Sequence, residues 1–412
     1  MVFFNNIYDR LRGDKVIWFS VILLCICSLL AVYSAVGQEA YAKRGGNTEY
    51  YLIKQFVLLS VGLAFMYFSY RFNYMSYSKI APLLLLVSIP MLMFTLGFGT
   101  DLNDAKRWIK IPLINQSFQT SDFAKLALII FISKSIAKKQ DIIKDFKSAF
   151  VPLIIPVVVV CILIAPADLS TAALLFVTCI LMMIIGRVSL KYVILLSLIG
   201  IGALSLLVLL GTVFPDFIRV DTWMSRITDF LFNTGDQWQV GQSKIAIANG
   251  GVLGVGPGAS MQRNFLPLPY ADFIYAIICE EYGLLGAGAI IALYLVLLYR
   301  CIKMITRCPK TFGSILAIGL CLSVVIQAFA NMAVSVNLLP VTGLTLPLIS
   351  MGGTSILFTC VSLGIILSVS KYVEEYSATE IMEVELSVDP EANYDTDNNI
   401  GPRGKMNYEN YY

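Results

Sequence analysis

Residues 242–283 read QSKIAIANGGVLGVGPGASMQRNFLPLPYADFIYAIICEEYG. The stretch opens as a polar, glycine-rich segment, halts at Pro267 and Pro269, and passes into an apolar helix. Asp272 stands at that junction, and Glu280 and Glu281 follow within sequence apolar enough to enter hydrocarbon. A carboxylate at a membrane boundary is costly unless it has a partner or a task. The apolar remainder of the chain therefore reads as a frame that holds this junction.

That remainder sets the fold class. Of 412 residues, 58% are hydrophobic and 14% charged, with a mean hydropathy of +0.77. Soluble domains carry about 25% charged residues. Apolar runs long enough to cross a bilayer recur along the chain. They are continuous rather than alternating, which excludes a β-barrel. The first, Val16 to Val36, is too long for a signal peptide and lacks a small-residue cleavage pattern, so it is expected to be retained. Further spans are predicted at 52–70, 78–98, 122–137, 150–165, 168–186, 189–213, 271–299, 312–337 and 344–370. The fold expected is an all-α polytopic membrane protein of ten transmembrane helices. One large extracytoplasmic loop, 214–270, lies between helices 7 and 8.

Ten spans put both termini on one side. Lys and Arg number 19 on the terminal side against 10 on the other, so both termini are expected in the cytoplasm. The domain division is then a cytoplasmic segment 1–15, a membrane domain 16–371 and a tail 372–412. The tail holds ten acidic side chains against Arg403 and Lys405, a net of −8, and is expected to be disordered. In loop 214–270 the aromatics Trp223, Phe230, Phe232 and Trp238 suggest segments lying on the membrane surface.

The chain has no histidine, which excludes His-based acid–base catalysis, Ser–His and Cys–His pairs and histidine metal sites. The nine cysteines show no metal-ligand spacing and read as small apolar residues. Any chemistry must use carboxylates, Lys, Arg, hydroxyls or a bound ion.

Six segments carry or frame such groups. Lys106, Arg107 and Trp108 stand in an outer loop, as headgroup anchors or as a cationic clamp for phosphate. Gln119, Ser121, Asp122 and Lys125 follow; the last two are three apart and share a helix face, which suits an ion pair or a substrate contact. Asp168 opens a span and reads as its N-cap. Gly254, Gly256 and Gly258 follow no strand, so they let the backbone approach a bound headgroup or a neighbouring helix rather than a nucleotide. Pro267 then precedes Asp272, placed in the first turn of its span. Capping is its plain alternative role, but on a helix Asp272 shares a face with Glu280, so the carboxylates are expected to line one polar cleft. Finally, prolines and glycines between Asn331 and Ser355, including Ser350, Gly352 and Gly353, break the helical pattern and suit a cleft wall.

Together and in order, KRWI (106–109), QTSDFAK (119–125), ADLSTA (167–172), QSKIAIANGG (242–251), GVGPG (254–258), LPLPYADFIYAIICEEYG (266–283) and NLLPVTGLTLPLISMGGTS (337–355) resemble the SEDS family, whose main branches are FtsW and RodA. The chain departs from the family pattern at Thr120, Asp122, Ala167, Ser170, Leu268 and Tyr270.

The resemblance implies a ten-helix peptidoglycan glycosyltransferase that polymerises lipid II at the outer face of the bacterial cytoplasmic membrane. It implies a divalent cation, Mg or Mn, and work with a class B penicillin-binding protein. Other divisome membrane proteins are expected partners, and no nucleic acid. Asp272 would be the base or hold the metal, while Lys106, Arg107 and Lys125 would stabilise the departing pyrophosphate. Trp108, Gln119, Ser121, Gln242, Ser243, Pro267, Glu280, Glu281, Ser350, Gly352 and Gly353 would complete the substrate site. The opening GDKVIWFSVILLCICSLLAVYSA and the tail favour the division branch and the septum over a RodA-like elongation role. A flippase of lipid-linked precursors is the alternative from another class; it needs polar residues across the whole membrane, whereas the charges here crowd the outer half. A division scaffold would leave Asp272 and its neighbours unexplained.

Overall fold

The computed structural model describes residues 12–102, 105–111, 116–213, 220–232 and 238–388. Ten helices stand at the ten predicted runs: α1 (Lys15–Ala35), α3 (Thr48–Arg71), α4 (Tyr74–Phe98), α5 (Thr120–Lys138), α6 (Val151–Ile164, preceded by a π-turn from Phe146), α7 (Leu169–Ile185), α8 (Leu190–Val213), α11 (Ile274–Ile305), α12 (Thr311–Ser335) and α13 (Thr354–Val388). Three more lie outside them: α2 (Gly37–Arg44), α9 (Val220–Phe232) and α10 (Trp238–Gly250). Among the described residues eight helices are long and apolar enough to cross a membrane. Of the predicted ten, α7 falls short with 17 residues and α5 carries Asp122, Lys125, Lys134 and Lys138. The protein is a polytopic helical membrane protein.

Burial sorts the bundle. In α12 and α13, 72% of the apolar window is buried, against 17–44% in the other spans, so these two form its centre. Apolar side chains left exposed on the outer helices, such as Phe65 and Phe68 on α3 or Leu83 and Leu86 on α4, face the hydrocarbon. Polar side chains tie core helices together: Gln55 donates to Ser28 Oγ over 2.8 Å, and Ser28 donates to the Ile349 carbonyl.

Three features differ from the sequence expectation. The predicted outer loop 99–121 contains, among the described residues, a three-stranded antiparallel sheet, β1 (Thr100–Leu102), β2 (Ala105–Ile111) and β3 (Gln116–Gln119). The large loop contains α9 and α10; α9 is amphipathic, exposing Met224, Ile227, Leu231 and Phe232 along one side. The predicted span 271–299 is not one continuous helix. At Gly283 the backbone leaves helical geometry (φ +63°, ψ −162°), splitting α11 into a short first piece and an apolar length of about 33 Å from residue 284.

The glycine-rich loop fills that break. Val255 and Gly256 donate to the carbonyls of Glu280 and Glu281, and Leu284 donates back to the Gly251 carbonyl, each over 3.0 Å. Backbone groups freed by the break are thereby satisfied, as burial requires. A Cβ on Gly250 would stand 1.9 Å from the Cys279 carbonyl oxygen, and one on Gly254 2.1 Å from that of Glu281. The glycines serve approach to a neighbouring helix.

At the opposite end of the bundle the two chain ends meet. Arg12 pairs with Glu375 at 3.1 Å and Asp14 with Arg300 at 2.6 Å, while Asp14 also caps α1. The last helix runs on to Val388, beyond the predicted end at 370. Residues 1–11 and the tail from 389 lie outside the described residues.

Candidate active site

The loop ahead of α11 is bent by Leu268, whose φ of +50° is a left-handed conformation costly for a branched side chain. Its carbonyl accepts from Ala271 and Asp272 at 3.0 and 3.3 Å. Helix α11 starts only at Ile274, with Phe273 as N-cap and no side-chain capping bond. Asp272 therefore does not cap the helix, which corrects its expected place in the first turn.

The broken segment after α12 supports this loop. Asn337, at φ +58°, ends α12, with Leu338 donating to the Ala333 carbonyl. Ser350 Oγ accepts from Leu346 N over 2.8 Å and donates to the Ala271 carbonyl over 2.6 Å. Met351 N donates to the Tyr270 carbonyl over 3.0 Å. Asn331 Nδ2 donates to the carbonyls of Asp272 and Leu344 over 2.8 and 2.6 Å. A Cβ on Gly343 would stand 3.8 Å from Asp272 Oδ2, so this segment walls the carboxylate closely.

Two guanidinium groups act on that carboxylate. Strand β2 carries Arg107 to the start of α7, where its Nε donates to the Ala167 carbonyl over 2.6 Å and Nη1 lies 3.3 Å from Asp168 Oδ2. Asp168 caps α7 as the sequence predicted, accepting from the Thr171 amide and hydroxyl. Helix α9 contributes Arg226. Burial pushes the Asp272 carboxyl up to about 6; the pull of Arg107 and Arg226 opposes this, and Asp168 adds to the rise.

Arg107, Asp168 and Arg226 line a groove of about 260 Å³ whose other walls, including Leu174, Trp223, Ile227, Pro340 and Val341, are mostly apolar. Arg226 also borders a second hollow of about 180 Å³ with Asp229, Gln239 and Asn337. An apolar channel beside fixed cations and a poised base can hold a lipid-linked anion and move a proton.

The remaining candidates fall into groups. Ser121 lines a small cavity shared with Arg107 and Asp168. Trp108 pairs in register with Gln119, whose side chain donates to Ser121 Oγ over 3.0 Å. Pro267 is exposed at the start of the Asp272 loop, and Gln242 is half-buried on α10. Lys106 lies on β2, but its side chain is outside the described residues.

Others serve the scaffold. Ser243 is fully buried and donates to the Ser335 carbonyl over 2.7 Å, pinning α10 to α12. Gly352 packs on Thr345, and Gly353 turns the chain at φ +57° into α13. Lys125 donates to Gln327 Oε1 over 2.9 Å and lies 3.4 Å from Asp122, in a separate small cavity rather than in the groove.

Glu280 and Glu281 do not line a cleft with Asp272. Each is 1% exposed. Glu280 accepts from Ser260 Oγ and from the amides of Met261 and Gln262, and Glu281 accepts from Ser34 Oγ. The sequence reading missed Arg226 and left Asn331 without a role. The apolar spacing of Met224, Ile227 and Leu231 was the available signal that α9 is amphipathic, with Arg226 off its lipid side.

The donor set suits a divalent cation only in the sparse mode. Mg²⁺ commonly takes one or two carboxylates and completes its shell with substrate oxygens and water. Asp272 can be such a ligand, while Asp168 is already engaged by Arg107 and Thr171. Among the described residues no three acidic or thiol side chains gather into a metal cage.

The family model for FtsW, RodA and SpoVE, described as cell cycle protein, matches residues 14–375. Stage V sporulation protein E of Bacillus subtilis is 32% identical over 87% of this chain and 97% of its own. A probable peptidoglycan glycosyltransferase FtsW of Geobacter sulfurreducens is 34% identical over 89% and 97%. Among solved structures, a chain of a peptidoglycan synthase complex that coordinates polymerization and crosslinking matches with TM-score 0.68 and 24% identity, over 88% of this chain and 98% of that one. The rod shape determining protein RodA of Thermus thermophilus matches with TM-score 0.62 and 22% identity, over 87% and 97%. The match covers the grooves, the broken segment after α12 and Asp272, and the chain belongs to the FtsW/RodA/SpoVE family.

Proposed function

We propose that this chain is a peptidoglycan glycosyltransferase that polymerises lipid II into glycan strands at the outer face of the bacterial cytoplasmic membrane, with Asp272 as general base. The observation that carries the reading is a buried carboxylate, walled by Gly343, beside an apolar groove lined by Arg107 and Arg226; burial raises its carboxyl to about 6 against the pull of those two guanidinium groups. At neutral pH such a group is mostly ionised yet more basic than an ordinary carboxylate, which suits it to take a proton from a sugar hydroxyl.

Asp272 receives the proton of the acceptor hydroxyl as that oxygen bonds to the anomeric carbon of the donor sugar. The bond from that carbon to the pyrophosphate breaks, and undecaprenyl pyrophosphate leaves with the electron pair. Arg107 and Arg226 meet its negative charge, and the apolar wall takes the lipid chain. Asp272 is also the side chain that would hold Mg²⁺ or Mn²⁺, whose charge when bound would help neutralise the leaving pyrophosphate.

The two chain ends share one end of the bundle and face the cytoplasm in this reading. The enzyme works with a class B penicillin-binding protein and with other divisome membrane proteins. Septal synthesis is favoured over elongation by the opening segment and the acidic tail. The test is glycan formation from purified lipid II by the chain with such a partner, resolved by strand length across pH. Asp272→Asn keeps size and removes the charge, and should lower the rate by at least about 10²-fold. Wild-type rate should fall with acidification around pH 6, as Asp272 takes up its proton. Long strands from the Asn variant, or a rate flat from pH 5 to 8, would remove Asp272 from the mechanism.

A further inference from the structure

We propose that Asn331 and Gln327, one turn apart on α12, are positioning residues that hold Asp272 in its working place through the broken segment after that helix. The inference rests on the reading of Asp272 as the base.

Both side chains are buried in an apolar helix, at 1% and 7% exposure. A polar group so placed is costly unless its hydrogen bonds are made. Their partners fix how each amide is oriented. Asn331 Nδ2 spends both protons on main-chain carbonyls, those of Asp272 at 2.8 Å and Leu344 at 2.6 Å. An oxygen at that position would face two other oxygens. Gln327 Oε1 accepts from Lys125 Nζ at 2.9 Å, so its Nε2 is the atom that donates to the Thr345 carbonyl at 3.0 Å.

The two amides thus grip consecutive carbonyls, 344 and 345, directly after Gly343, the residue that walls the Asp272 carboxylate. Asn331 grips Asp272 itself. Residues four apart share a helix face, and Ser335 continues the line, donating to the Asn331 carbonyl and accepting from Ser243. One polar stripe on the most enclosed part of the bundle therefore fixes the base, its wall and α10 relative to one another. The stripe is in turn tied through Gln327 to the Lys125–Asp122 pair on α5. This gives Lys125 a task away from the groove.

The test uses the full chain with its penicillin-binding partner, measuring initial polymerisation against lipid II concentration, with thermal stability alongside. Asn331→Asp keeps the shape and loses both donors. Gln327→Met keeps the volume and acts from a place remote from substrate. Both should lower kcat by about tenfold or more while KM changes less than about threefold, since a displacement near 1 Å can cost about 10²-fold.

Folded variants with kcat within twofold of wild type overturn the proposal, even if heat stability drops. Should Asn331→Asp not fold, Gln327→Met decides by the same criteria. Asp272→Asn measured in parallel separates the two readings. If that variant is inactive while the amide variants are normal, only the positioning role fails; if it is fully active, the base assignment fails and this proposal with it.

Discussion

Removing Lys125 should destabilise the protein more than removing its whole ion pair. Lys125 Nζ lies 3.4 Å from Asp122 Oδ1, with the two side chains 18% and 6% exposed, and it donates to Gln327 Oε1 at 2.9 Å. Lys125→Ala strands a buried carboxylate, at a cost of about 3–5 kcal/mol. The lost bond to Gln327 adds about 0.6 kcal/mol, the average for a side-chain bond between membrane helices. Replacing both charges, as Asp122→Leu with Lys125→Leu, removes the stranded group. That double variant should lie within about 1–2 kcal/mol of wild type, because an apolar pair can replace a buried ionic one at little cost. Non-additivity of at least about 2 kcal/mol is therefore expected between the two positions. The assay is reversible unfolding in mixed micelles, followed by the fluorescence of the four tryptophans. A Lys125→Ala cost under about 1 kcal/mol, or costs that simply add, would show that water reaches the pair and that α5 is not packed as described.

Two further perturbations test the loop and the groove. Gly254→Ala places a Cβ 2.1 Å from the Glu281 carbonyl at a φ of +84°, whereas at Gly258 (φ +76°) nothing lies within 4 Å. The first should cost more than about 3 kcal/mol through strain and unseated backbone bonds, and the second about 1–2 kcal/mol; equal losses of thermal stability would refute the docking of this loop into the break at Gly283. Arg107→Lys keeps the charge but not the fork that joins the Ala167 carbonyl to Asp168, so polymerisation should fall by about tenfold or more, and a wild-type rate would mean that charge alone matters there.

The positions of the helices were legible because most of the apolar runs are long and uniform, and local chemistry was legible where it acts over one turn. Asp168 caps α7, and Asp122 meets Lys125, as three-residue spacing requires. The carboxylate cleft was misread for a definite reason. The face shared by Asp272 and Glu280 exists only on a helix that includes both, and α11 starts at Ile274. The break at Gly283 was hidden because a glycine in an apolar run is ambiguous; only the approach of residues 251–256 reveals what it is for. The sheet β1–β3 depends on pairing between segments, which no single-strand pattern reports. Arg226 lay in a loop of mixed composition, and its relation to Asp272 is a matter of tertiary placement.

The buried acids that seemed to belong to the catalytic cleft bear on Asp272 indirectly. A carboxyl raised by burial is under constant pressure to regain water, and the cheapest route is for its loop to lift away. Glu280 opposes this at one end of the loop by accepting from Ser260, Met261 and Gln262. Ser350, Met351 and Asn331 oppose it at the other, through the carbonyls of residues 270–272. Glu280 can be buried at 1% exposure because those amides replace its water. The break at Gly283 matters here too, since it lets the glycine loop bind the Glu280 and Glu281 carbonyls and fixes the piece of α11 that carries both acids. A continuous helix would have kept those carbonyls for itself. Glu280, the broken helix and the segment after α12 thus hold the loop against the force that its own carboxylate generates. Loosening any of them should let Asp272 fall towards its ordinary value and make it a weaker base at the same pH.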